Sequence, residues 1–150
     1  MTRRLLLLNG PNLNLLGVRE PEIYGRTTLD ALQADLTARA AEAGADLRCV
    51  QSNHEGALID ALHDARAHCA GIIFNPAGYG HTSVALRDAL IACETPAVEV
   101  HLSNTARREP FRHKTLTADV AIGTISGFGV LGYRLALQAL LAHLDALGEH

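Results

Sequence analysis

Amide, imidazole and hydroxyl side chains follow three short apolar runs of the sequence, where they could surround one small molecule. These residues are Asn12, Asn75, His81, His101 and Ser103. An imidazole can donate or accept a proton near neutral pH, and an amide can hydrogen bond to a developing oxyanion. The set suits acid–base chemistry on a polar substrate. A plain turn is the alternative for the segment around Asn12, because Asn, Gly and Pro also dominate turns.

Glu99 and His101 form the most specific pair in this set. They stand two residues apart in an apolar run, so in a strand both side chains point to the same side. A carboxylate beside an imidazole holds the ring in place and favours its protonated form. Buried parallel strands are normally continuous apolar runs, so a charged pair there is unusual. A lone His101 would more often be structural, but the pair predicts a proton donor.

Two long irregular segments, residues 10–26 and 103–118, supply the other candidates. Within the first, residues 17–26 have glycines near both ends and a proline inside, which is typical of a hinged lid. Tyr24 lies there, and Arg19 is close enough along the chain to approach it. The second segment carries a basic cluster, which is either a solvated patch or an anion site. Its members are Arg107, Arg108, Arg112, His113 and Lys114.

The elements that must position these residues alternate between strands and helices. The predicted strands are residues 5–8, 46–52, 71–75, 97–102 and 119–123. The predicted helices begin at Thr27 or Thr28, at Asn53, at Thr82 or Ser83, and at Gly127 or Gly129. The last helix is predicted to bury Leu131, Leu135, Leu140, Leu144 and Leu147.

This alternation predicts right-handed crossovers and a parallel sheet. Five strands in a chain of this length indicate an α/β, flavodoxin-like fold with strand order 2-1-3-4-5 and helices on both faces. Open sheets of this kind bind ligands at the carboxyl ends of their strands. That edge is where the candidate residues and both long segments begin.

Composition narrows the class of protein. A chain of 150 residues with 48% hydrophobic residues suits one globular domain, residues 1–150. The net charge of −3 argues against a general nucleic-acid binder, and no apolar run is long enough for a membrane span. Cys49, Cys69 and Cys93 are widely spaced, which favours reduced thiols in a cytoplasmic protein. No histidines show metal-ligand spacing, so we expect no metal.

Three alternatives stay open from the residues alone. A flavodoxin-like module that binds a flavin or another small ligand would share the fold, although no phosphate-binding glycine motif follows the first strand. A Schiff-base enzyme would need Lys114, the single lysine of the chain. A structural subunit would leave Tyr24, His101 and the Asn-rich turns without a purpose.

Four segments together resemble type II 3-dehydroquinate dehydratases over nearly the whole chain. They are LNGPNLNLLG at 8–17 with Arg19 and Tyr24 behind it, QSNHEG at 51–56, NPAGYGHTS at 75–83 with Asp88 behind it, and EVHLSN at 99–104 with Arg108 and Arg112 behind it. Each motif alone is weak, but the combination is specific. One departure is Gly80, where the family usually has Thr or Ser. A glycine there affects the rigidity of this loop and not the chemistry.

The resemblance implies a shikimate-pathway lyase that removes water from 3-dehydroquinate by anti elimination through an enolate, without metal or organic cofactor. It further implies a homododecamer built from four trimers, with no nucleic-acid or membrane partner. By position, Tyr24 would be the base, Arg19 its activator and His101 the acid, while Asn12 would hold a water that stabilises the enolate. The implied substrate-binding residues are Asn75, His81, Asp88, Leu102, Ser103 and Arg112, with Glu99 and Arg108 in supporting positions. Asp88 matches a family position near the subunit boundary.

A tyrosine base requires physical help. Phenols have a reference pKa near 10, and a preference for the phenolate of about 3–4 kcal/mol is needed to bring that down by roughly 2–3 units. A guanidinium held against the ring in a closed, poorly hydrated site can supply energy of this order. We therefore expect Arg19 and closure of the lid to be necessary for the reaction.

Overall fold

Five parallel strands form the sheet of this protein, and the computed structural model describes them within residues 2–148. The strands are β1 (Arg3–Asn9), β2 (Ala45–Gln51), β3 (Gly71–Asn75), β4 (Ala97–His101) and β5 (Gly123–Ser126). The helices are α1 (Pro21–Tyr24), α2 (Leu29–Glu42), α3 (Glu55–His68), α4 (Val84–Cys93) and α5 (Leu131–Gly148). The order in the sheet is β2-β1-β3-β4-β5, and every neighbouring pair is parallel, which confirms the predicted fold class.

Side-chain alternation along β1 divides the core into two halves. Leu5 and Leu7 point to the layer formed by α2 and α5, whereas Leu6 and Leu8 point to the layer formed by α3 and α4. All four leucines are fully or almost fully buried. The helices therefore cover both faces of the sheet, as predicted, and the strand ends remain open at the edges.

Of the four predicted helix starts, two are confirmed and two are wrong. The last helix begins at Leu131 and not at Gly127 or Gly129. Thr28 caps α2 by accepting a hydrogen bond from the backbone N–H of Ala31, and Ser83 caps α4 in the same way. Asn53 was expected to cap α3, but His54 occupies that position. The side chain of Asn53 instead accepts a hydrogen bond from the backbone N–H of Asn12, at 2.9 Å. It supports the turn after β1.

The predicted position of the fifth strand is also wrong. Residues 119–123 were expected to form it, but Ala118–Val120 is a 3-10 turn and β5 begins at Gly123. The reason is that β5 is an edge strand with half-exposed residues, so it lacks the apolar signal of a buried strand. The apolar signal came from Val120, which packs against the core from the preceding turn.

Helix α5 buries a different face from the predicted one. Leu140 and Leu144 are buried as expected, but Leu131 and Leu147 are 49% and 54% exposed. The buried stripe contains Tyr133, Ala136 and Leu137. The spacing from Tyr133 to Leu137, Leu140 and Leu144 follows the 3.6-residue period of a helix, whereas the predicted leucine series drifts off that face.

The other differences are small. Strand β4 ends at His101, one residue before the predicted end at Leu102. The first long segment is partly regular, because Leu13–Leu15 forms a 3-10 turn and α1 lies within the predicted lid. Within residues 2–148, no helix combines the length and the hydropathy needed to cross a membrane.

Candidate active site

A cavity opens at the carboxyl ends of β1, β3 and β4, where the fold predicts a ligand site. It measures about 750 Å³ including the space at its open mouth, which suits a small molecule. The structure brings most of the site residues predicted from sequence to its wall. Those that line it are Asn12, Arg19, Tyr24, Asn75, His81, His101, Leu102, Ser103, Arg108 and Arg112.

The turn after β1 is shaped by a close backbone approach. The backbone N–H of Gly10 donates to the carbonyl of Asn75 at 2.8 Å. A Cβ at Gly10 would lie 2.5 Å from the carbonyl oxygen of Pro76, so only glycine fits there. Asn12 follows in a left-handed conformation with φ of 71°, which asparagine tolerates better than most residues. This packing delivers the Asn12 side chain to the rim of the cavity.

Glu99 and His101 are paired beneath the cavity. His101 Nε2 lies 2.9 Å from Glu99 Oε2, and the two side chains are 9% and 2% exposed. Burial by itself would raise the pKa of Glu99, but hydrogen bonds from His101, Thr117 and Thr115 together hold it below its ordinary value. An ionised carboxylate only accepts hydrogen bonds, so Nε2 is the donor and Nδ1 is the ring nitrogen left for the cavity.

Tyr24 lies between two guanidinium groups. The Arg19 guanidinium carbon is 5.0 Å from the centre of the ring, and that of Arg108 is 5.3 Å away. Arg108 also donates from Nη1 to the phenol oxygen at 2.8 Å and to Ser103 Oγ at 3.2 Å. The arginine that hydrogen bonds to the phenol oxygen is therefore Arg108, which the sequence placed only in a supporting position. Arg19 covers the face of the ring.

His81 and His101 lie side by side in the wall of the cavity. Their ring centres are 6.3 Å apart and the rings are stacked. His81 Nδ1 donates to the carbonyl oxygen of Lys114 at 2.8 Å, which leaves its Nε2 free to face a ligand. The neighbouring Gly80 is buried, and a Cβ there would lie 2.8 Å from Pro76 Cγ. The unusual glycine therefore matches close packing against Pro76.

Asn75 is held by a hydrogen-bond network that sequence reasoning missed. Its Nδ2 donates to the hydroxyl of Tyr133 at 2.8 Å, and its Oδ1 accepts from the backbone N–H of Ala77 at 3.0 Å. The Tyr133 hydroxyl donates in turn to Asn9 Oδ1 at 2.7 Å. Burial raises the pKa of Tyr133, so it stays neutral. A tyrosine on an apolar helix face predicts a core residue, and nothing in the sequence indicated this contact.

Three predicted or considered residues lie away from the cavity wall. Glu99 is behind His101, as a supporting residue should be. Asp88 is exposed on α4 and does not line the cavity within this chain. Lys114 lines a second cavity on the other side of His101 and not the wall that carries Tyr24. Among residues 2–148, no group of three or more His, Cys, Asp or Glu side chains is arranged to hold a metal ion.

The chain is similar to known proteins in both sequence and fold. The family profile described as Dehydroquinase class II matches residues 3–141. The chain is 60% identical over 141 residues to a 3-dehydroquinate dehydratase of Prochlorococcus marinus (strain MIT 9313), covering 94% of this chain and 95% of that protein. It is 55% identical to 3-dehydroquinate dehydratase 2 of Pseudomonas aeruginosa, covering 97% and 99%. The crystal structure of a type II dehydroquinase from Butyrivibrio crossotus DSM 2876 matches with a TM-score of 0.90 and 41% identity, covering 92% and 97%.

Proposed function

This chain belongs to the class II dehydroquinase family, and we propose that the cavity at the ends of β1, β3 and β4 is its active site. The chain is a hydro-lyase of the shikimate pathway that converts 3-dehydroquinate to 3-dehydroshikimate and water. One observation supports the assignment to this cavity above all others. A tyrosine under two guanidinium groups and an imidazole paired with a buried carboxylate behind it line the same cavity.

Tyr24 is the base in this proposal. Its phenolate oxygen removes a proton from the carbon next to the ketone, which breaks a C–H bond and leaves an enolate. The hydrogen bond from Arg108 ends on this oxygen, and the charge of Arg19 lies over the ring, so both stabilise the negative form. The enolate oxygen is stabilised by the Asn12 amide, acting through a bound water.

His101 is the acid. The hydroxyl on the β carbon departs with its electron pair and takes the proton from His101 Nδ1, so that it leaves as water. The carboxylate of Glu99 lies 2.9 Å from the opposite ring nitrogen and stabilises the imidazolium before the transfer. The C–H electron pair becomes the enolate and then the new double bond, so no redox partner is needed. The proton on Tyr24 returns through solvent to regenerate the acid.

Substrate binding is assigned to polar groups around this acid and base. The substrate carboxylate is assigned to the backbone N–H groups of Leu102 and Ser103, and the hydroxyls to Asn75, His81 and Arg112. These residues share the cavity wall with Tyr24 and His101. Three arginines in that wall, Arg19, Arg108 and Arg112, give it local positive charge although the chain has a net charge of −3. An anionic substrate is therefore attracted to this edge.

The finer organisation of the enzyme is part of the same proposal. We propose one catalytic domain over residues 1–150 that assembles as a dodecamer of four trimers, in which Asp88 of a neighbouring copy reaches the site. Its support is that Asp88 is exposed and does not line the cavity of its own chain, and that Ile91, Phe128 and Leu131 are large apolar residues about half exposed or more. Three separate thiols suit the reducing cytoplasm.

Replacing the base tests the proposal. Dehydration of 3-dehydroquinate is followed by the ultraviolet absorbance of the conjugated product. We expect Tyr24→Phe to lower kcat by about 10²–10⁴-fold, the usual contribution of a general base, with little change in KM. Tyr79→Phe is the matched control, because within residues 2–148 the Tyr79 hydroxyl bonds only to the backbone carbonyl of Asn53, and neither Tyr79 nor Asn53 lines the cavity. Turnover near wild type in Tyr24→Phe would remove Tyr24 as the base.

A further inference from the structure

The carboxylate of Glu99 has more partners than His101 alone. Thr115 Oγ1 donates to Glu99 Oε2 at 2.7 Å, and Thr117 Oγ1 donates to Glu99 Oε1. Thr117 is fully buried, and Glu99 is 1% exposed. Both threonines lie in the segment after the basic cluster, far from β4 in sequence. The proposed mechanism gives neither of them a role.

We propose that Thr115 and Thr117 are positioning residues for the acid of the reaction, acting through Glu99 to hold His101 protonated and oriented. This inference rests on the proposed role of His101 as the acid. It concerns how that acid is prepared, and neither hydroxyl touches the cavity wall occupied by Tyr24. The two hydroxyls and His101 Nε2 together occupy both carboxylate oxygens.

The physical reason is the cost of a buried charge. A carboxylate removed from water remains ionised only where hydrogen-bond donors replace its hydration. If one hydroxyl is removed, the carboxylate binds a proton more readily, and the nearest source is the imidazolium of His101. The proton would then move from the ring to Glu99, and the ring would lose the positive form that protonates the leaving hydroxyl. The threonine hydroxyls therefore keep the proton on His101.

The same segment also fixes the second histidine of the site. Lys114 offers its carbonyl oxygen to His81 Nδ1 at 2.8 Å. Leu116 anchors the segment, because its N–H donates to the carbonyl of Gly80 at 2.7 Å and its carbonyl accepts from Arg87 Nη1 at 2.8 Å. Residues 114–117 thus hold both stacked rings from behind. The Thr115 and Thr117 side chains act on His101 through Glu99, and the backbone carbonyl of Lys114 accepts from His81.

Other charged groups also face the Glu99–His101 pair and set the background for its titration. In the second cavity, behind the pair, they are Arg87, His113, Lys114 and Asp119. In the substrate cavity, in front of the pair, they are Arg19, Tyr24, His81, Arg108 and Arg112. A threonine-to-valine change alters none of these groups, so a difference in titration between variant and wild type reports the lost hydroxyl.

The first test is the pH dependence of kcat in Thr117→Val and Thr115→Val. The acid is active while protonated, so kcat falls as pH rises through the titration of His101. With the carboxylate less ionised, we expect His101 to release its proton at lower pH. The basic limb of the kcat profile then moves down by about one pH unit, so that kcat above that limb falls about tenfold. Thr117→Ser keeps the hydroxyl and should restore the wild-type limb. Thr37→Val, exposed on α2, is the control for the substitution itself.

The second test reads His101 directly, by nitrogen NMR of the imidazole in the intact enzyme without substrate. We expect the titration midpoint of His101 to fall in both valine variants and to be unchanged in Thr117→Ser. An unchanged midpoint in a folded valine variant overturns the inference. If Thr117→Val does not fold, Thr115→Val decides it, because Thr115 is only half-buried. Full activity of His101→Gln would instead overturn the proposed role of His101, and the midpoints would still decide whether the threonines act on the ring.

Discussion

At the scale of single residues, the two arginines beside Tyr24 occupy different positions. The Arg19 side chain covers the ring face and is 38% exposed, whereas that of Arg108 is 16% exposed and donates directly to the phenol oxygen. A charged hydrogen bond to an oxygen that becomes negative strengthens as that charge develops. A cation over the ring face acts only through its charge and is weakened by nearby solvent. In the proposed mechanism, Arg108 is therefore the stronger stabiliser of a phenolate at Tyr24.

This difference predicts unequal kinetic losses. Arg108→Met should lower kcat by about 10–150-fold, which corresponds to the loss of one charge-assisted hydrogen bond. Arg19→Met should lower kcat by a smaller factor, because it leaves that hydrogen bond in place. Steady-state kinetics on both variants, with the exposed neighbour Arg107→Met as control, measures the ratio. A larger loss in Arg19→Met than in Arg108→Met would show that lid closure exchanges the two guanidinium groups.

The residues of the site were largely predictable from sequence, but their contacts were not. Tyr24, His101 and Asn75 were identified by type and position, and Glu99 by its two-residue spacing from His101. The contact between Arg108 and Tyr24 joins two irregular segments separated by 84 residues, and no periodic pattern fixes the relative orientation of such segments. Thr115 and Thr117 were missed for the same reason. Tyr133 was missed because a tyrosine on an apolar helix face predicts a core residue.

At the scale of elements, prediction succeeded where burial is complete. The strand β3 was placed at its observed bounds, because all its residues are buried and its sequence is apolar up to the final Asn75. The edge strand β5 was misplaced and the buried face of α5 was misread. The half-exposed strand β5 has no apolar run, and in α5 leucines also lie on the exposed face, so in neither element do apolar positions mark the buried side.

Tyr133 joins three elements, and this contact predicts a stability effect. Its hydroxyl links α5 to Asn9 at the end of β1 and to Asn75 at the end of β3. Tyr133→Phe leaves buried polar groups without a partner, so we expect the free energy of unfolding to fall by about 1–3 kcal/mol. It also frees the Asn75 amide, so KM should rise more than kcat falls. Urea unfolding and steady-state kinetics measure both effects.

Tyr79→Phe provides the comparison for this prediction. It removes a hydroxyl whose single acceptor, the carbonyl of Asn53, lies near the surface where water replaces the lost bond. We expect its unfolding free energy to change by about 0.5–1.5 kcal/mol, the usual net value of one hydrogen bond. Equal losses in the two variants would mean that the network under Asn75 has no special stability.

At the scale of the whole molecule, one proposed site residue does not line the cavity of its own chain. Asp88 is exposed on α4, whereas the cavity lies at the carboxyl ends of β1, β3 and β4. If Asp88 contributes to binding, it must reach the cavity of another copy of the chain. In closed rings of identical subunits a contact of this kind repeats at every interface, so each site takes its residues from two chains.

Mixed assemblies test this arrangement. Tyr24→Phe and Asp88→Asn are each expected to be nearly inactive as homo-oligomers. When equal amounts are unfolded together and refolded, a site combines Tyr24 of one chain with Asp88 of its neighbour, and random assembly leaves both intact in about a quarter of the sites. The mixture should therefore recover about a quarter of wild-type activity, whereas each variant refolded alone recovers none. No recovery in verified mixed oligomers, or full activity of Asp88→Asn alone, would place every site residue on one chain.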